Sequence, residues 1–246
     1  MLNQIWKNLS EAKLARKKSF AVLLDPDFSD IAYLANIVSL ANKSGVDYFF
    51  VGGSLLTRPN ALAQTLAYVK ANSTIPTIIF PGSYNHIDAN ANAILLLSLI
   101  SGRNPDFLIG NHVLAAPALR ESQIEILPTG YMLIDGGKPT TVSYVSNTTP
   151  LPANKPAIAA CTAMAGEMLG LKLIFLDAGS GAESSVSTAM IKAVADVVSC
   201  PIIVGGGIRT SAEALEKLNA GADLIVIGNA IEQNPDLLLE VARALK

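Results

Sequence analysis

Short, unbroken apolar runs alternate along this chain with longer stretches of helical periodicity. Runs rich in Val, Ile, Leu and Phe occupy residues 20–24, 46–51, 77–80, 93–97, a segment within 124–134, 173–176, 202–204 and 224–227. They are continuous rather than alternating, the pattern of parallel strands covered on both faces. Helical patterns follow most of them, at 30–43, 60–71, 153–169, 185–198, 211–219 and 235–245. Eight strand–helix units in this length predict an α/β fold of the TIM-type (β/α)8 class, whose active sites lie at the carboxyl ends of the strands. A doubly wound sheet is the alternative, disfavoured because glycine turns suited to phosphate follow the last strands, as they do in barrels. Residues 81–92, Pro-Gly-Ser-Tyr-Asn-His-Ile-Asp-Ala-Asn-Ala-Asn, are too few and too rich in turn formers for a full helix, so the third helix is expected to be irregular or missing. Its absence opens an apolar flank, to be covered by a second subunit or used as a groove for a long hydrophobic substrate. The apolar positions of 31–40 add to the surface expected to be exposed.

Composition narrows the class. Half of the 246 residues are hydrophobic and 15% are charged, which fits one domain, 1–246, with a large shared core. The net charge of −2, with 18 basic residues dispersed, argues against nucleic acid as a partner. Cys161 and Cys200 are too few for a disulfide scaffold and lack metal-ligand spacing, pointing to a reducing compartment. Residues 1–18 have no continuous apolar segment of the leader type, and the longest apolar run, within 93–100, is far short of a membrane span. A cytoplasmic protein without a transmembrane segment is expected.

The chemistry concentrates at strand ends. Phe175-Leu176-Asp177-Ala178-Gly179-Ser180-Gly181, Val204-Gly205-Gly206-Gly207-Ile208 and Ile227-Gly228-Asn229-Ala230 each close an apolar run and open a helix-like segment. Three such turns around one small volume offer backbone N–H groups to a phosphate. Asp25-Pro26-Asp27 stands at the exit of the first strand and Gly52-Gly53-Ser54 at the exit of the second. Neighbouring exits let Asp25 and Ser54 share one Mg²⁺, with water and phosphate oxygens completing its shell. An Asp-Pro-Asp is also a common turn. Asp177 is a candidate base or hydroxyl acceptor, or a helix N-cap.

Taken together, the motifs resemble the geranylgeranylglyceryl phosphate synthase family, which includes heptaprenylglyceryl phosphate synthases, and especially its second group, found in archaea and some bacteria. The resemblance rests on Leu-Asp-Pro-Asp at 24–27, Val-Gly-Gly-Ser at 51–54, Phe-Pro-Gly at 80–82, Arg-Asn-Pro-Asp-Phe-Leu-Ile-Gly-Asn-His at 103–112 and Pro-Thr-Gly-Tyr-Met-Leu-Ile at 128–134. Leu-Asp-Ala-Gly-Ser-Gly-Ala at 176–182, Val-Gly-Gly-Gly-Ile-Arg at 204–209 and Ile-Gly-Asn at 227–229 complete it. It implies a barrel without a regular third helix, and Mg²⁺-dependent transfer of a polyprenyl group, geranylgeranyl above all, from its diphosphate to the 3-hydroxyl of sn-glycerol 1-phosphate. Asp25 and Ser54 would hold the metal. Asp177 would act on the hydroxyl, and residues 175–181, 205–207, Gly228 and Asn229 would bind glycerol phosphate. The second group also implies homodimers or larger rings of dimers.

Two positions depart from the family pattern. A basic residue often adjoins the Asp-Pro-Asp, whereas here Leu24 and Phe28 flank it, which leaves the pyrophosphate to a base elsewhere such as Arg58. A tyrosine often stands where this chain has Phe175. A sugar-phosphate isomerase or lyase on the same barrel would share the phosphate turns but calls for a lysine or an acid–base pair on inner strand ends. A non-catalytic lipid or phosphate carrier would bind without turnover.

Overall fold

A computed structural model describes residues 4–245. The first three residues and the last of the expected domain 1–246 lie outside the described part. Eight parallel strands, β1 (Ser19–Leu24), β2 (Tyr48–Val51), β3 (Thr77–Ile79), β4 (Ala93–Leu99), β5 (Glu125–Leu133), β6 (Leu173–Asp177), β7 (Ile202–Gly205) and β8 (Leu224–Ile227), close into a barrel in sequence order. Closure is made by β1 against β8, with Phe20 opposite Ile225 and Val22 opposite Ile227.

Strand side chains alternate between two cores. Phe20, Val22, Leu24, Phe49, Val51, Ile174 and Leu176 pack outward against the helices. Ala21, Phe50, Leu95, Leu127, Tyr131, Leu173, Phe175 and Val226 fill the interior. By the same alternation Asp177, two residues beyond Phe175, points inward at the carboxyl end.

The surrounding helices include α2 (Ile31–Ser44), α3 (Ala61–Asn72), α6 (Pro156–Met168), α7 (Thr188–Ala195), α8 (Ser211–Asn219) and α10 (Asp236–Ala244). Local signals set their ends. Asp30, Ser187 and Thr210 cap α2, α7 and α8 through side-chain oxygens, and Gly45 stops α2 at φ 86° in the left-handed region. Four helices were not anticipated from the pattern. They are α1 (Gln4–Leu14), α4 (Asn111–Ser122), α5 (Thr141–Ser146) and α9 (Asn229–Gln233). Between β3 and β4 no helix forms, and residues 81–92 run as turns and bends. The large apolar side chains of α2 are mostly not left bare as expected: Leu34, Ile37 and Val38 are buried against the barrel, while Ile31 is largely exposed.

The amino-terminal end of the barrel is stoppered by α1, whose Ile5 and Leu9 join the interior core. Glu125, at the start of β5, accepts the Ile5 and Trp6 N–H groups at 2.8 and 2.7 Å. The carboxylate accepts two of the N–H groups that the first turn of a helix leaves without an intrahelical partner. With that end filled, only the carboxyl end is open.

Candidate active site

A cleft of about 1050 Å³ occupies the carboxyl end. Asp25, Gly53 and Ser54 line one side, and Asp177, Ser180, Gly205–Gly207, Gly228 and Asn229 the other. The same cleft continues along the flank left by the missing helix, over Tyr84, Ile87, Ile94, Leu96, Ala115 and Leu119. One end of the cavity is thus polar and rich in backbone donors, and the other is apolar.

Interlocking glycines build the polar end. The Ala178 N–H donates to the Gly205 carbonyl at 3.1 Å, extending the β6–β7 pairing into the turns. A Cβ on Gly206 would fall 2.6 Å from both Asp177 Oδ1 and the Gly179 nitrogen, at a backbone φ of 79°. Only glycine fits there, and the close approach holds the second turn against the first. Arg209 secures the arrangement by donating from its guanidinium to the Ala182 and Glu183 carbonyls at 2.6 and 2.9 Å. Ser180 donates to Asn229 Oδ1 at 2.8 Å, and the Asn229 amide donates to Glu232 at 3.1 Å, which ties the third turn to the first.

Asp177 is buried at the floor of this end. Its Oδ2 accepts the Tyr131 hydroxyl at 2.6 Å and its Oδ1 accepts the Gly179 N–H at 2.8 Å. Register makes the first contact possible, because β5 places Leu133 opposite Asp177 and Tyr131 opposite Phe175. Burial pushes the Asp177 carboxyl above its ordinary value, against the opposing pull of its two hydrogen bonds. Burial, reinforced by the Asp177 charge, drives the Tyr131 phenol well above its own. Asp177 does not cap a helix: α7 begins at Thr188 under Ser187, and Asp177 instead orders the glycine turn. Beside Tyr131, Phe80 and Phe175 stack at 5.2 Å between centroids to form an aromatic floor.

Across the cleft, Asp25 and Asp27 have different duties. Asp27 accepts the Thr57 N–H at 2.6 Å, the Thr57 hydroxyl at 2.8 Å and the Arg58 N–H at 3.1 Å, anchoring the β2–α3 loop. Asp25 is half-buried, and its recorded side-chain bond is from the Asp27 N–H at 2.9 Å. Burial raises its carboxyl above the ordinary range; the Asp27 N–H opposes this, the Asp27 charge adds to it, and Arg58 opposes it again. Gly53 lies directly against this carboxylate, its would-be Cβ 3.0 Å from Oδ2. Arg58 is not among the residues lining the cleft. Its guanidinium donates to the Pro26 carbonyl and to the Ser29 carbonyl, the latter at 3.3 Å.

Among the described residues no cluster of three or more His, Cys, Asp or Glu side chains is placed to hold a metal. The half-buried Asp25 carboxylate, which lines the same cleft as Ser54, instead suits a hard cation held largely by water and substrate phosphates, the usual habit of Mg²⁺. Sequence reasoning missed Tyr131 as a partner of Asp177. Its motif, Pro-Thr-Gly-Tyr, was visible, but the pairing depends on strand register.

The fold and site define a TIM barrel with glycine-rich turns, a buried carboxylate and an apolar side groove around one cleft. The chain belongs to the PcrB family, which it matches over residues 12–245. It is similar to the geranylgeranylglyceryl phosphate synthase of Spirosoma linguale, 56% identical over 97% of this chain and 95% of that protein. Its counterpart in Chitinophaga pinensis is 51% identical, over 100% of this chain and 97% of the relative. The fold superposes with a TM-score of 0.93 on (S)-3-O-geranylgeranylglyceryl phosphate synthase from Thermoplasma acidophilum in complex with its substrate sn-glycerol-1-phosphate, 30% identical, covering 100% of this chain and 99% of that one.

Proposed function

We propose that this protein is a Mg²⁺-dependent phosphoglycerol geranylgeranyltransferase. It joins the 3-hydroxyl of sn-glycerol 1-phosphate to C1 of a polyprenyl diphosphate, with geranylgeranyl diphosphate the expected donor. The observation that carries this reading is the continuity of the cleft. Glycine turns for a phosphate and a buried carboxylate for a hydroxyl open directly into an apolar groove of the kind a prenyl tail requires. The names of the relatives and the substrate bound in the Thermoplasma structure support it.

In this reading the three turns take the glycerol phosphate through backbone N–H groups. Asp177, fixed by Tyr131 and Gly179, accepts the hydrogen bond of the attacking hydroxyl and then its proton. The new bond joins O3 to C1 as the bond from C1 to the diphosphate oxygen breaks, and the electron pair leaves with pyrophosphate. Asp25 and Ser54 would hold Mg²⁺, which when bound neutralises charge on the leaving group. The walls of the flank keep water from the reacting carbon. The lyase reading finds no support on the inner strand ends, since the lysine lining the cleft, Lys138, sits on the β5–α5 loop.

We also infer that the protein works in the cytoplasm as a homodimer or larger homo-oligomer. Its two cysteines are free, and no described helix is long and apolar enough to cross a membrane. Exposed apolar residues gather on α6 and around the start of α4.

The decisive assay is incubation with sn-glycerol 1-phosphate, Mg²⁺ and prenyl diphosphates of several lengths, with mass spectrometry of the product. A prenylglyceryl phosphate ether is expected, with sn-glycerol 3-phosphate reacting poorly. Absence of any ether product from every donor would refute the assignment.

A further inference from the structure

The cleft must accept phosphoryl groups, yet its walls carry Asp25, Asp27 and Asp177. Two cationic side chains, Lys138 and Arg209, line it as well. Arg209 is committed to the Ala182 and Glu183 carbonyls. Lys138 is exposed, and among the described residues no hydrogen bond or ion pair of its ammonium group is recorded. Arg58, on the β2–α3 loop that Asp27 anchors, donates to the Pro26 and Ser29 carbonyls.

The loop carrying Lys138 is built to hold it at the cleft. Gly136 accepts the Glu183 and Ser184 N–H groups at 2.9 and 3.1 Å, which fastens the β5–α5 loop to the end of the first glycine turn. A Cβ on Gly136 would lie 2.6 Å from that of Ala182 and 2.8 Å from the Ala178 carbonyl oxygen, so the two loops touch backbone to backbone. Gly137, at φ 92°, turns the chain, and its N–H donates to Asp135 at 3.0 Å. Pro139 restricts the backbone of Lys138 to extended conformations. Thr140 then caps α5 and packs on Gly179. The contacts of Gly136 and the packing of Thr140 thus fall on residues 178–184. Two acidic side chains flank this turn, Asp135, which accepts the Gly137 N–H, and Glu183, within 3.2 Å of a would-be Cβ on Gly137; neither forms an ion pair with Lys138.

We propose that Lys138 is a substrate-binding residue, pairing with a phosphoryl oxyanion brought into the cleft by the diphosphate of the donor or the phosphate of the acceptor. This rests on the prenyltransferase reading for the identity of the ligands, but not for their chemistry. An ammonium group on a flexible stem acts as a point charge that can follow a phosphate, whereas the glycine turns supply only fixed neutral donors.

The test compares Lys138→Ala and Lys138→Arg with the wild type, first by calorimetric binding of inorganic pyrophosphate with Mg²⁺ and of sn-glycerol 1-phosphate, then by steady-state kinetics. Loss of one charge-assisted contact predicts affinity lower by on the order of tenfold in Lys138→Ala for one of the two probes, with much of it restored in Lys138→Arg. The loss should shrink in high salt. Weakened pyrophosphate binding assigns the lysine to the donor, weakened glycerol phosphate binding to the acceptor, and the matching KM should rise with little change in kcat. Unchanged affinity for both probes in a normally folded Lys138→Ala overturns the proposal. Because binding is read without turnover, that result is distinct from a wild type that binds these anions but makes no ether.

Discussion

At the residue scale the site rests on one buried and one half-buried carboxylate with different supports. Asp177 has two hydrogen-bond donors, whereas Asp25 has one backbone N–H and lies half-buried. For Asp25 the folded state binds a proton more tightly than the unfolded chain, so stability declines as pH rises from the ordinary value of 3.8 through its raised value. At neutral pH its ionised form is therefore a cost to the ligand-free fold. Asp25→Asn should melt at the same temperature or higher without metal at pH 7, while losing on the order of 10²-fold or more in kcat/KM with Mg²⁺ present. A variant that retains near wild-type turnover would remove Asp25 from the metal site. The glycine turns, Asp25 and Asp177 were legible in the sequence because strand-end motifs are local. The Tyr131–Asp177 bond was not, since it spans 46 positions and exists only through the β5–β6 register. Nor was the commitment of Arg58 to two carbonyls, which a reading of charge alone cannot foresee.

Individual elements were legible to the degree that burial is two-sided. Seven strands declared themselves as apolar runs, with β4, β6 and β7 reaching further than expected, to Leu99, Asp177 and Gly205, β2 starting later, at Tyr48, and β3 ending earlier, at Ile79; β5, interrupted by Pro128, Thr129 and Gly130, was placed only as a segment within 124–134. Helix α4 was hidden by Pro117 in its interior, a residue that normally ends helices, and by the π-helical turn at Asp106–Gly110 that feeds it. Helix α1 was hidden for another reason. Its first-turn N–H groups are met by Glu125 of β5, 119 and 120 positions away. That dependence is testable. Glu125→Ala leaves the Ile5 and Trp6 N–H groups without their acceptor beneath the barrel and should destabilise the protein by about 2–3 kcal/mol. For a chain of 246 residues that corresponds to a melting temperature lower by several degrees. The effect lies at the amino-terminal end, so KM values of the folded enzyme should stay as in the wild type. An unchanged melting temperature would show that α1 is held by other contacts, such as Ile5 and Leu9 packing and the Lys13–Asp223 ion pair.

For the molecule as a whole, the gap at 81–92 was legible from its proline, glycine and asparagine content, but the use of the exposed flank was not. The structure makes that flank continuous with the polar site, so it is accounted for as groove and need not be an interface. The apolar surface that remains lies elsewhere. Ile158, Met168 and Leu169 on and just after α6 are 47, 83 and 79% exposed, and Ile109, Val113 and Leu114 around the start of α4 are 61, 65 and 60% exposed. Cys161 and Leu169 also line a shallow groove with Ile100 and Leu108 that runs between these two sets. A single barrel gains nothing from leaving this surface in water, and a two-fold axis across α6 covers it on both copies with one self-complementary contact. Light scattering at micromolar concentration should therefore report a mass of about twice the 25.8 kDa of one chain, or a larger even multiple. Charges placed on the exposed positions, Ile158→Glu with Met168→Glu, should reduce the mass to that of one chain, because burying two unpaired carboxylates in a dimer contact is costly. A wild type that scatters as one chain would rule out self-association, and a charged double variant that still scatters as a dimer would move the contact away from α6.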